Sequence, residues 1–208
     1  MNDVVLFDLG GVVFEGPMER FAAYERAVGL PAGLIRRINA TNPDGNAWAR
    51  AERGDITVAE FAAEFEAEAR TVGFDVDAAQ VLDALHGEVF PQMRDALHAL
   101  RAAGLTLVAV TNNIWPLATS RPDLGEVLGL FDAIIESSVE GVRKPEVEFY
   151  QRVLDRVGVP ASRCVYLDDL GINLKPARAM GMTTIKVVTI PDALAALEQA
   201  TGVSLPAS

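Results

Sequence analysis

Residues 4–12 of the chain read VVLFDLGGV, an apolar run that ends in the carboxylate of Asp8 and is followed by two glycines. The apolar run predicts a buried strand, and Asp8 then stands at the carboxyl end of that strand. A carboxylate in this position is costly unless a cation lies nearby. Residues 164–169, CVYLDD, repeat the arrangement far downstream, where Asp168 and Asp169 follow an apolar run. If both strands belong to one sheet, three carboxylates meet at the same edge.

Five short segments predict the strands of a parallel sheet. They are apolar on both faces, as in a sheet covered by helices on both sides, and they cover residues 3–8, 105–111, 132–136, 163–168 and 183–188. Helices are predicted from Pro91 to Ala103 and from Pro145 to Val157, the second with proline in its first turn. The alternation of strands and helices predicts an α/β fold with right-handed crossovers.

The interval between the first two strands is far longer than one crossover needs. Almost a hundred residues separate Asp8 from Leu105. Within that interval apolar residues recur at helical spacing, and Thr57 followed by Glu60 predicts a capping box at the start of one helix. We therefore predict a small helical cap, residues 17–88, inserted after the first strand of a core domain. The core domain would comprise residues 1–16 and 89–208.

Composition narrows the classes of partner. The chain has 208 residues, half of them hydrophobic, and a formal net charge of −11, which argues against nucleic acid and against an anionic membrane surface. No run of eighteen apolar residues predicts a membrane span. The start of the chain lacks a basic region, so no signal peptide is predicted and a cytoplasmic location is expected. Composition leaves open whether the protein is a monomer or a homodimer.

Polar residues follow four of the predicted elements at one edge of the sheet. Ligands of an open parallel sheet bind beyond the carboxyl ends of its strands. The residues collected there are Asp8, Thr111, Asn112, Lys144, Asp168 and Asp169. Each alone has an ordinary role as a turn former, a helix cap or a solvated charge. Their convergence at a single edge favours a binding site.

Electrostatics indicates what this site binds. Two carboxylates ~4 Å apart repel each other by roughly 4 kcal/mol at an effective dielectric constant near 20. Three carboxylates must therefore share a cation or take up protons. Oxygen ligands with room for water are what Mg²⁺ prefers. Lys144 adds a positive charge suited to holding a phosphate beside an anionic nucleophile. The residues thus predict a Mg²⁺ site that binds a small phosphate ester.

Four ordered motifs resemble those of the haloacid dehalogenase (HAD) superfamily. They are FDLGGV at residues 7–12, VTN at 110–112, RKP at 143–145 and LDD at 167–169. Residues 167–178, LDDLGINLKPAR, and residues 51–57, AERGDIT, are also similar to one branch of the superfamily. That branch holds the amino-terminal phosphatase domain of soluble epoxide hydrolase. The resemblance implies a Rossmann-like five-stranded core with a helical cap, and a phosphatase of small phosphomonoesters.

The resemblance also implies catalytic and substrate-binding roles. Asp8 would be the nucleophile that accepts the phosphoryl group as an aspartyl-phosphate. Lys144 would stabilise the charge of the transferring group, and Thr111 would donate a hydrogen bond to a phosphoryl oxygen. The substrate-binding residues implied are Asn112, Gly10, Gly11 and Arg143. For Arg143, a structural ion pair is the favoured alternative.

For the metal, the resemblance implies ligands from both ends of the chain. Mg²⁺ would be held by Asp8, the backbone carbonyl of Gly10, and Asp169. Asp168 would support the ion through water or from behind the ligands.

Gly10 departs from the usual pattern of these phosphatases, which carry Asp two residues after the nucleophile. That Asp protonates the leaving oxygen and then activates water, and loss of such a group costs about 10²–10⁴-fold in rate. Glu15, Asp168 or Glu19 could substitute for it.

The residues leave two alternatives to a phosphatase. One is a metal-independent dehalogenase, which also lacks the second Asp. Without a metal, however, the adjacent carboxylates of Asp168 and Asp169 would repel each other without compensation. A weakly active phosphoryl-binding scaffold is the other.

Overall fold

The computed structural model describes residues 2–117 and 121–206. Residue 1, residues 118–120 and residues 207–208, which belong to the predicted core segments, lie outside this range. A five-stranded sheet with the strand order β3-β2-β1-β4-β5 forms the centre, and every pairing is parallel. Its strands are β1 (Val4–Phe7), β2 (Thr106–Thr111), β3 (Ala133–Glu136), β4 (Cys164–Asp168) and β5 (Thr183–Lys186). The predicted α/β fold with a five-stranded parallel sheet is confirmed.

Helices surround the sheet and fill the long interval after β1. They are α1 (Pro17–Ala27), α2 (Leu34–Ala40), α3 (Ala47–Glu52), α4 (Val58–Thr71), α5 (Ala78–Asp83), α6 (Pro91–Ala102), α7 (Gly125–Leu128), α8 (Ser137–Glu140), α9 (Val147–Val157), α10 (Gly171–Ala179) and α11 (Ile190–Thr201). None of the described helices combines the length and hydrophobicity that crossing a bilayer would require.

The register of the sheet explains why the acidic residues meet. Strand β1 lies between β2 and β4, and Phe7 is paired with Ala109 on one side and Leu167 on the other. The backbone N–H of Asp8 donates to the carbonyl of Leu167 at 2.9 Å, which extends this pairing by one residue. Asp8 therefore leaves the sheet directly beside the end of β4.

Both faces of the sheet are buried, as the apolar strands predict. Val5 and Phe7 pack on one face with residues of α6 and α11, whereas Val4 and Leu6 pack on the other with residues of α9 and α10. All four side chains are at most 2% exposed. Burial of apolar surface, worth roughly 25 cal/mol per Å², stabilises β1 at the centre of the sheet. Asp8 follows this buried strand directly.

Helices α1 to α5 pack around a third apolar cluster. Its fully buried members include Ile35, Phe61, Phe65 and Val81. The predicted capping box is present at the start of α4, where Thr57 accepts from the N–H of Glu60 and Glu60 bonds back to the N–H of Thr57. We call residues 17–88 the cap below. Its status as a domain separate from the core stays a prediction.

The helix predicted from Pro145 begins two residues later. Helix α9 starts at Val147, and Pro145 lies in the preceding loop rather than in its first turn. A turn is the reason, because the N–H of Glu146 donates to the carbonyl of Arg143 at 2.8 Å. This turn leaves Lys144 in a loop, from which its side chain reaches the edge of the sheet.

Candidate active site

A cavity of about 270 Å³ opens beyond the carboxyl ends of the strands and is lined by residues of the sheet edge and of the cap. The predicted site residues that line it are Asp8, Gly10, Thr111, Asn112, Lys144 and Asp169. Asp168, Gly11 and Arg143 are not among its lining residues. The structure thus gathers most of the predicted site into one cavity.

Asp8 is buried, with 8% of its surface exposed, and it faces the cavity. Its Oδ1 accepts a hydrogen bond from the N–H of Leu9 at 2.7 Å and lies 2.9 Å from Nζ of Lys144. Burial raises the pKa of Asp8 to about 8, although the Lys144 ammonium acts in the opposite direction. A cation in the cavity would favour the ionised form further.

Lys144 is enclosed by oxygen atoms. Its Nζ lies 2.9 Å from Asp8 and 3.0 Å from Asp168, and it donates to the carbonyl of Val110 at 3.0 Å. Burial alone would lower the pKa of Lys144, but the carboxylates of Asp8 and Asp168 raise it overall. The ammonium is therefore a fixed positive charge beside the Asp8 carboxylate.

Asp168 pairs with Lys144 and does not line the cavity. It is fully buried, and besides Lys144 it accepts hydrogen bonds from the Tyr166 hydroxyl, from the N–H of Leu170 at 2.8 Å and from the Asn173 amide at 3.1 Å. Burial raises the pKa of Tyr166 well above its ordinary value, so the hydroxyl keeps the proton that it donates. These donors fix the Asp168 carboxylate, which in turn holds Lys144.

Asp169 faces the cavity from the other side. Burial, reinforced by the charge of Asp168, raises the pKa of Asp169 to about 6. Gly11 lies against it with a φ of +78°, and a Cβ at Gly11 would fall 2.7 Å from Oδ2 of Asp169. Any larger residue would meet both a strained backbone and a steric clash. Gly11 therefore permits the close approach of Asp169 to the loop after β1.

The acidic residues are suited to a divalent cation. Asp8, Asp168 and Asp169 each offer an oxygen atom within 4.8 Å of the others, and carboxylate oxygens are ligands that Mg²⁺ prefers. When all three are ionised, three carboxylates and one ammonium leave two uncompensated negative charges. Asp8, Asp169 and Gly10 line the cavity and could hold the ion. The donor set, all oxygen, fits Mg²⁺.

Thr111 and Asn112 lie at the end of β2. The Thr111 hydroxyl is at the cavity wall and donates to the carbonyl of Asn112 at 3.3 Å. The Asn112 side chain braces Lys144, because its Oδ1 accepts from the N–H of Lys144 at 2.9 Å and its Nδ2 donates to the carbonyl of Lys144 at 3.0 Å. Its Nδ2 also donates to Glu52 at 3.3 Å. Both amide hydrogens of Asn112 are thus used within the protein.

Arg143 forms an ion pair at the border of cap and core. Its Nη1 lies 2.7 Å from Oε2 of Glu52, and its Nη2 donates to the carbonyl of Pro43 at 2.5 Å. The structural ion pair, which was the alternative role for Arg143, is therefore present. Binding of substrate by Arg143 stays a prediction.

Glu52 is a cavity residue that the sequence did not single out. It ends α3, is 8% exposed, and lines the cavity beside Asn112. Burial raises the pKa of Glu52, and the adjacent Arg143 acts to lower it. The only signal in the sequence is its place in the AERGDIT stretch of the cap, which gives no direction for the side chain.

The walls of the cavity away from the acidic end are mostly apolar. The apolar lining residues are Phe14, Pro17, Met18, Phe21, Trp48, Leu85, Ile114, Trp115, Leu117 and Leu170. His86, an exposed residue, also lines the cavity. Most of these residues belong to the cap or to the segment after β2, so the cap supplies much of the apolar surface.

Of the groups proposed to replace the missing acid, only Glu15 lines the cavity. Glu15 is exposed and forms an ion pair with Arg20 at 3.2 Å, whereas Glu19 is exposed on α1 and not among the lining residues. At Gly10 the cavity has room, since a Cβ added at this position would have Cε2 of Phe14 as its nearest neighbour, at 3.8 Å.

Comparison of the sequence with known proteins gives one family and several relatives. A family model described as haloacid dehalogenase-like hydrolase matches residues 2–181. Mouse acyl-CoA dehydrogenase family member 10 is 32% identical over 97% of this chain and 19% of its own length. Pig bifunctional epoxide hydrolase 2 is 29% identical over 96% of the chain and 39% of its own length. The chain therefore spans well under half of these two relatives.

A third relative has a length closer to that of the chain. Sesquiterpene phosphatase astK of Aspergillus oryzae is 27% identical over 85% of the chain and 85% of its own length. The likeness to bifunctional epoxide hydrolase 2 confirms the branch of the superfamily that the sequence motifs predicted.

Solved structures show the same fold. The HAD family enzyme BT-2542 of Bacteroides thetaiotaomicron, in complex with magnesium and inorganic phosphate, aligns with a TM-score of 0.67 and 22% identity over 89% of this chain and 94% of its own. L-2-haloacid dehalogenase of Xanthobacter autotrophicus aligns with a TM-score of 0.66 and 21% identity over 94% of this chain and 81% of its own. At these identities the likeness concerns the fold alone.

Proposed function

The chain belongs to the haloacid dehalogenase-like hydrolase family, and from this premise we propose that it is a Mg²⁺-dependent phosphatase of small phosphomonoesters. The observation that carries the proposal is the arrangement of Asp8, Lys144 and Asp169 around one end of the cavity. A carboxylate nucleophile, a buried ammonium and a second carboxylate are the groups that a phosphoryl-transfer site needs.

The residues act in a defined order. A carboxylate oxygen of Asp8 attacks phosphorus, the ester P–O bond breaks, and the alcohol leaves with a proton taken from the medium. Water then cleaves the aspartyl-phosphate, which returns Asp8 and releases inorganic phosphate. Lys144 stabilises the negative charge that develops on the phosphoryl oxygens. Mg²⁺ held by Asp8, Asp169 and the Gly10 carbonyl would supply further neutralisation of that charge.

The lining supports one class of substrate within this function. Beyond the acidic end the cavity presents mostly aromatic and aliphatic side chains, which favour an apolar alcohol over a polyhydroxylated one. The sesquiterpene phosphatase among the relatives agrees with this choice. We therefore propose phosphomonoesters of apolar alcohols, in preference to hexose phosphates.

A panel of phosphate esters tests the proposed function. We expect Mg²⁺-dependent release of inorganic phosphate, and faster turnover of alkyl and isoprenyl monophosphates than of hexose phosphates. The assay measures phosphate with Mg²⁺ and with excess chelator, and a 2-haloacid is included with chloride release as the readout. Undiminished turnover in chelator would refute the role of the metal. Chloride release without phosphate release would instead favour the dehalogenase.

Restoring the missing acid gives a second test. Gly10→Asp is expected to speed hydrolysis of alkyl phosphates by about 10²-fold or more, because their leaving groups need a proton. Activated aryl phosphates, whose leaving groups need none, should gain much less. The position admits a Cβ, since the nearest atom would lie 3.8 Å from it. Gly10→Asn fills the same volume without a transferable proton, and equal gains in both variants would contradict the prediction.

A further inference from the structure

Glu52 binds three donors at the border between cap and core. Its Oε1 accepts from Nε1 of Trp48 at 3.1 Å, and its Oε2 accepts from Asn112 at 3.3 Å and from Arg143 at 2.7 Å. Trp48 belongs to the cap, whereas Asn112 and Arg143 belong to two different loops of the core. One buried cap carboxylate thus connects the loop after β2 with the loop that carries Lys144.

The bond to Asn112 leads directly to the catalytic lysine. The Asn112 side chain both accepts from the N–H and donates to the carbonyl of Lys144, so its amide plane fixes the backbone at that residue. Nζ of Lys144 lies 2.9 Å from the Asp8 carboxylate. Rotation of the Asn112 amide would therefore release the backbone from which Lys144 reaches Asp8.

The two residues after Glu52 also touch the core. Arg53 forms an ion pair with Glu146, and its Nε donates to that carboxylate at 2.9 Å. Gly54, with a φ of +72°, lies so close to the carbonyl of Ser138 that no Cβ would fit. The three consecutive residues dock the end of α3 on the core, but only Glu52 reaches Asn112.

From this geometry we propose that Glu52 is a positioning residue: by holding the Asn112 amide it helps to fix the backbone of Lys144, while Asp8, Asp168 and the Val110 carbonyl hold Nζ. The inference rests on the proposed function for its kinetic consequence, but the contact itself is independent of that function. Glu52 is assigned no proton transfer, because all three of its neighbours donate to it.

A double-mutant cycle between Glu52 and Asn112 tests the proposal. With an activated aryl phosphate and Mg²⁺, Glu52→Ala and Asn112→Ala are each expected to lower kcat by about 10–100-fold, as for a misplaced catalytic group, with KM changed by less than about 3-fold. The double variant should be no slower than Asn112→Ala alone, because residues that act through one contact are non-additive. Losses that multiply, or a kcat of Glu52→Ala within about 2-fold of the parent, would overturn it.

Amide hydrogen exchange provides a readout that does not depend on catalysis. The N–H of Lys144 donates to Oδ1 of Asn112, so its exchange should become about 10-fold faster or more in Glu52→Ala and in Asn112→Ala. Arg53→Ala is the matched control, since it breaks the neighbouring ion pair and leaves Asn112 untouched. Unchanged exchange in Glu52→Ala, or equal acceleration in Arg53→Ala, would refute the positioning role of Glu52. This outcome holds whether or not the protein hydrolyses phosphate esters.

Glu52→Gln separates positioning from a general loss of stability. Its carbonyl oxygen can still accept from Asn112 and Arg143, while the charge of the ion pair and the acceptor for Nε1 of Trp48 are lost. We expect Gln to restore most of the kcat and of the Lys144 amide protection that Ala removes. If the Ala variant does not fold, the Gln variant still tests whether Glu52 acts through Asn112. A kcat for Gln more than about 10-fold below the parent, with Lys144 still protected, would show that Glu52 does not act through Asn112.

Discussion

Asp8→Asn is expected to lower the turnover of phosphate esters by on the order of 10⁴-fold or more, the scale of losing a covalent nucleophile. The amide oxygen of asparagine can accept the same two interactions that Oδ1 of Asp8 accepts, from the N–H of Leu9 and from Lys144. The variant should therefore keep the fold while it loses the atom that attacks phosphorus. Turnover with each active ester of the panel, and thermal unfolding in chelator, measure the two effects.

Two controls complete this prediction. Asp44→Asn makes the same chemical change at an exposed cap residue and is expected to leave turnover within about 2-fold of the parent. Beryllofluoride, which mimics a phosphoryl group on a carboxylate, should stabilise the parent against heat in the presence of Mg²⁺ but not Asp8→Asn. Turnover of Asp8→Asn within about 10-fold of the parent would exclude covalent catalysis by Asp8.

The framework of the site could be predicted because it depends on strand ends. Asp8 and Asp168 each follow an apolar run, and in a parallel sheet the carboxyl ends of neighbouring strands share one edge. The family match confirms the prediction of a hydrolase with this fold. The sequence motifs also place Lys144 near that edge, but not the turn at Glu146 that moves the start of α9 beyond Pro145.

The cap contribution could not be predicted in the same way. Glu52 closes a six-residue helix whose direction depends on how the cap packs against the core. Its partners Asn112 and Arg143 lie 60 and 91 residues away in the chain, so local spacing carries no information about the contact. Trp48 and Phe21 were recognisable as apolar, but an apolar residue at helical spacing lies in a core as often as at a cavity.

The geometry favours the proposed phosphatase over a metal-independent dehalogenase. In a dehalogenase without a metal, the carboxylates of Asp8 and Asp169 would face one cavity. The ammonium of Lys144, which pairs with Asp8, would be the cation beside them. Without a metal the carboxylates of such a site must take up protons, whereas a divalent cation compensates them in their ionised form. A phosphoryl-binding scaffold would use the same groups, so only the rate separates it from an enzyme, and Gly10 is where that rate would be limited.

Lys144→Met is expected to have a large effect on stability as well as on turnover. Lys144 is 2% exposed and pairs with both Asp8 and Asp168, so its removal leaves two buried carboxylates without their cation. Breaking a buried ion pair by deleting one partner typically costs about 3–5 kcal/mol. Turnover should fall by roughly 10²–10³-fold, since a positioned charge near the transferring group is lost. Urea unfolding in chelator and turnover of an aryl phosphate measure the two effects.

Two further variants isolate the charge of Lys144 from its volume. Lys175→Met removes an exposed lysine of α10 and should change the free energy of unfolding by less than about 0.5 kcal/mol. Lys144→Met combined with Asp168→Asn should recover part of the stability lost by Lys144→Met, because one of the two uncompensated carboxylates is then neutral. It should recover no turnover, because the ammonium beside Asp8 is still missing. If the double variant is less stable than Lys144→Met, the hydrogen bonds that Asp168 accepts from Tyr166, Leu170 and Asn173 outweigh the relief of charge, and the charge balance of Asp8, Lys144 and Asp168 is not what stabilises this site.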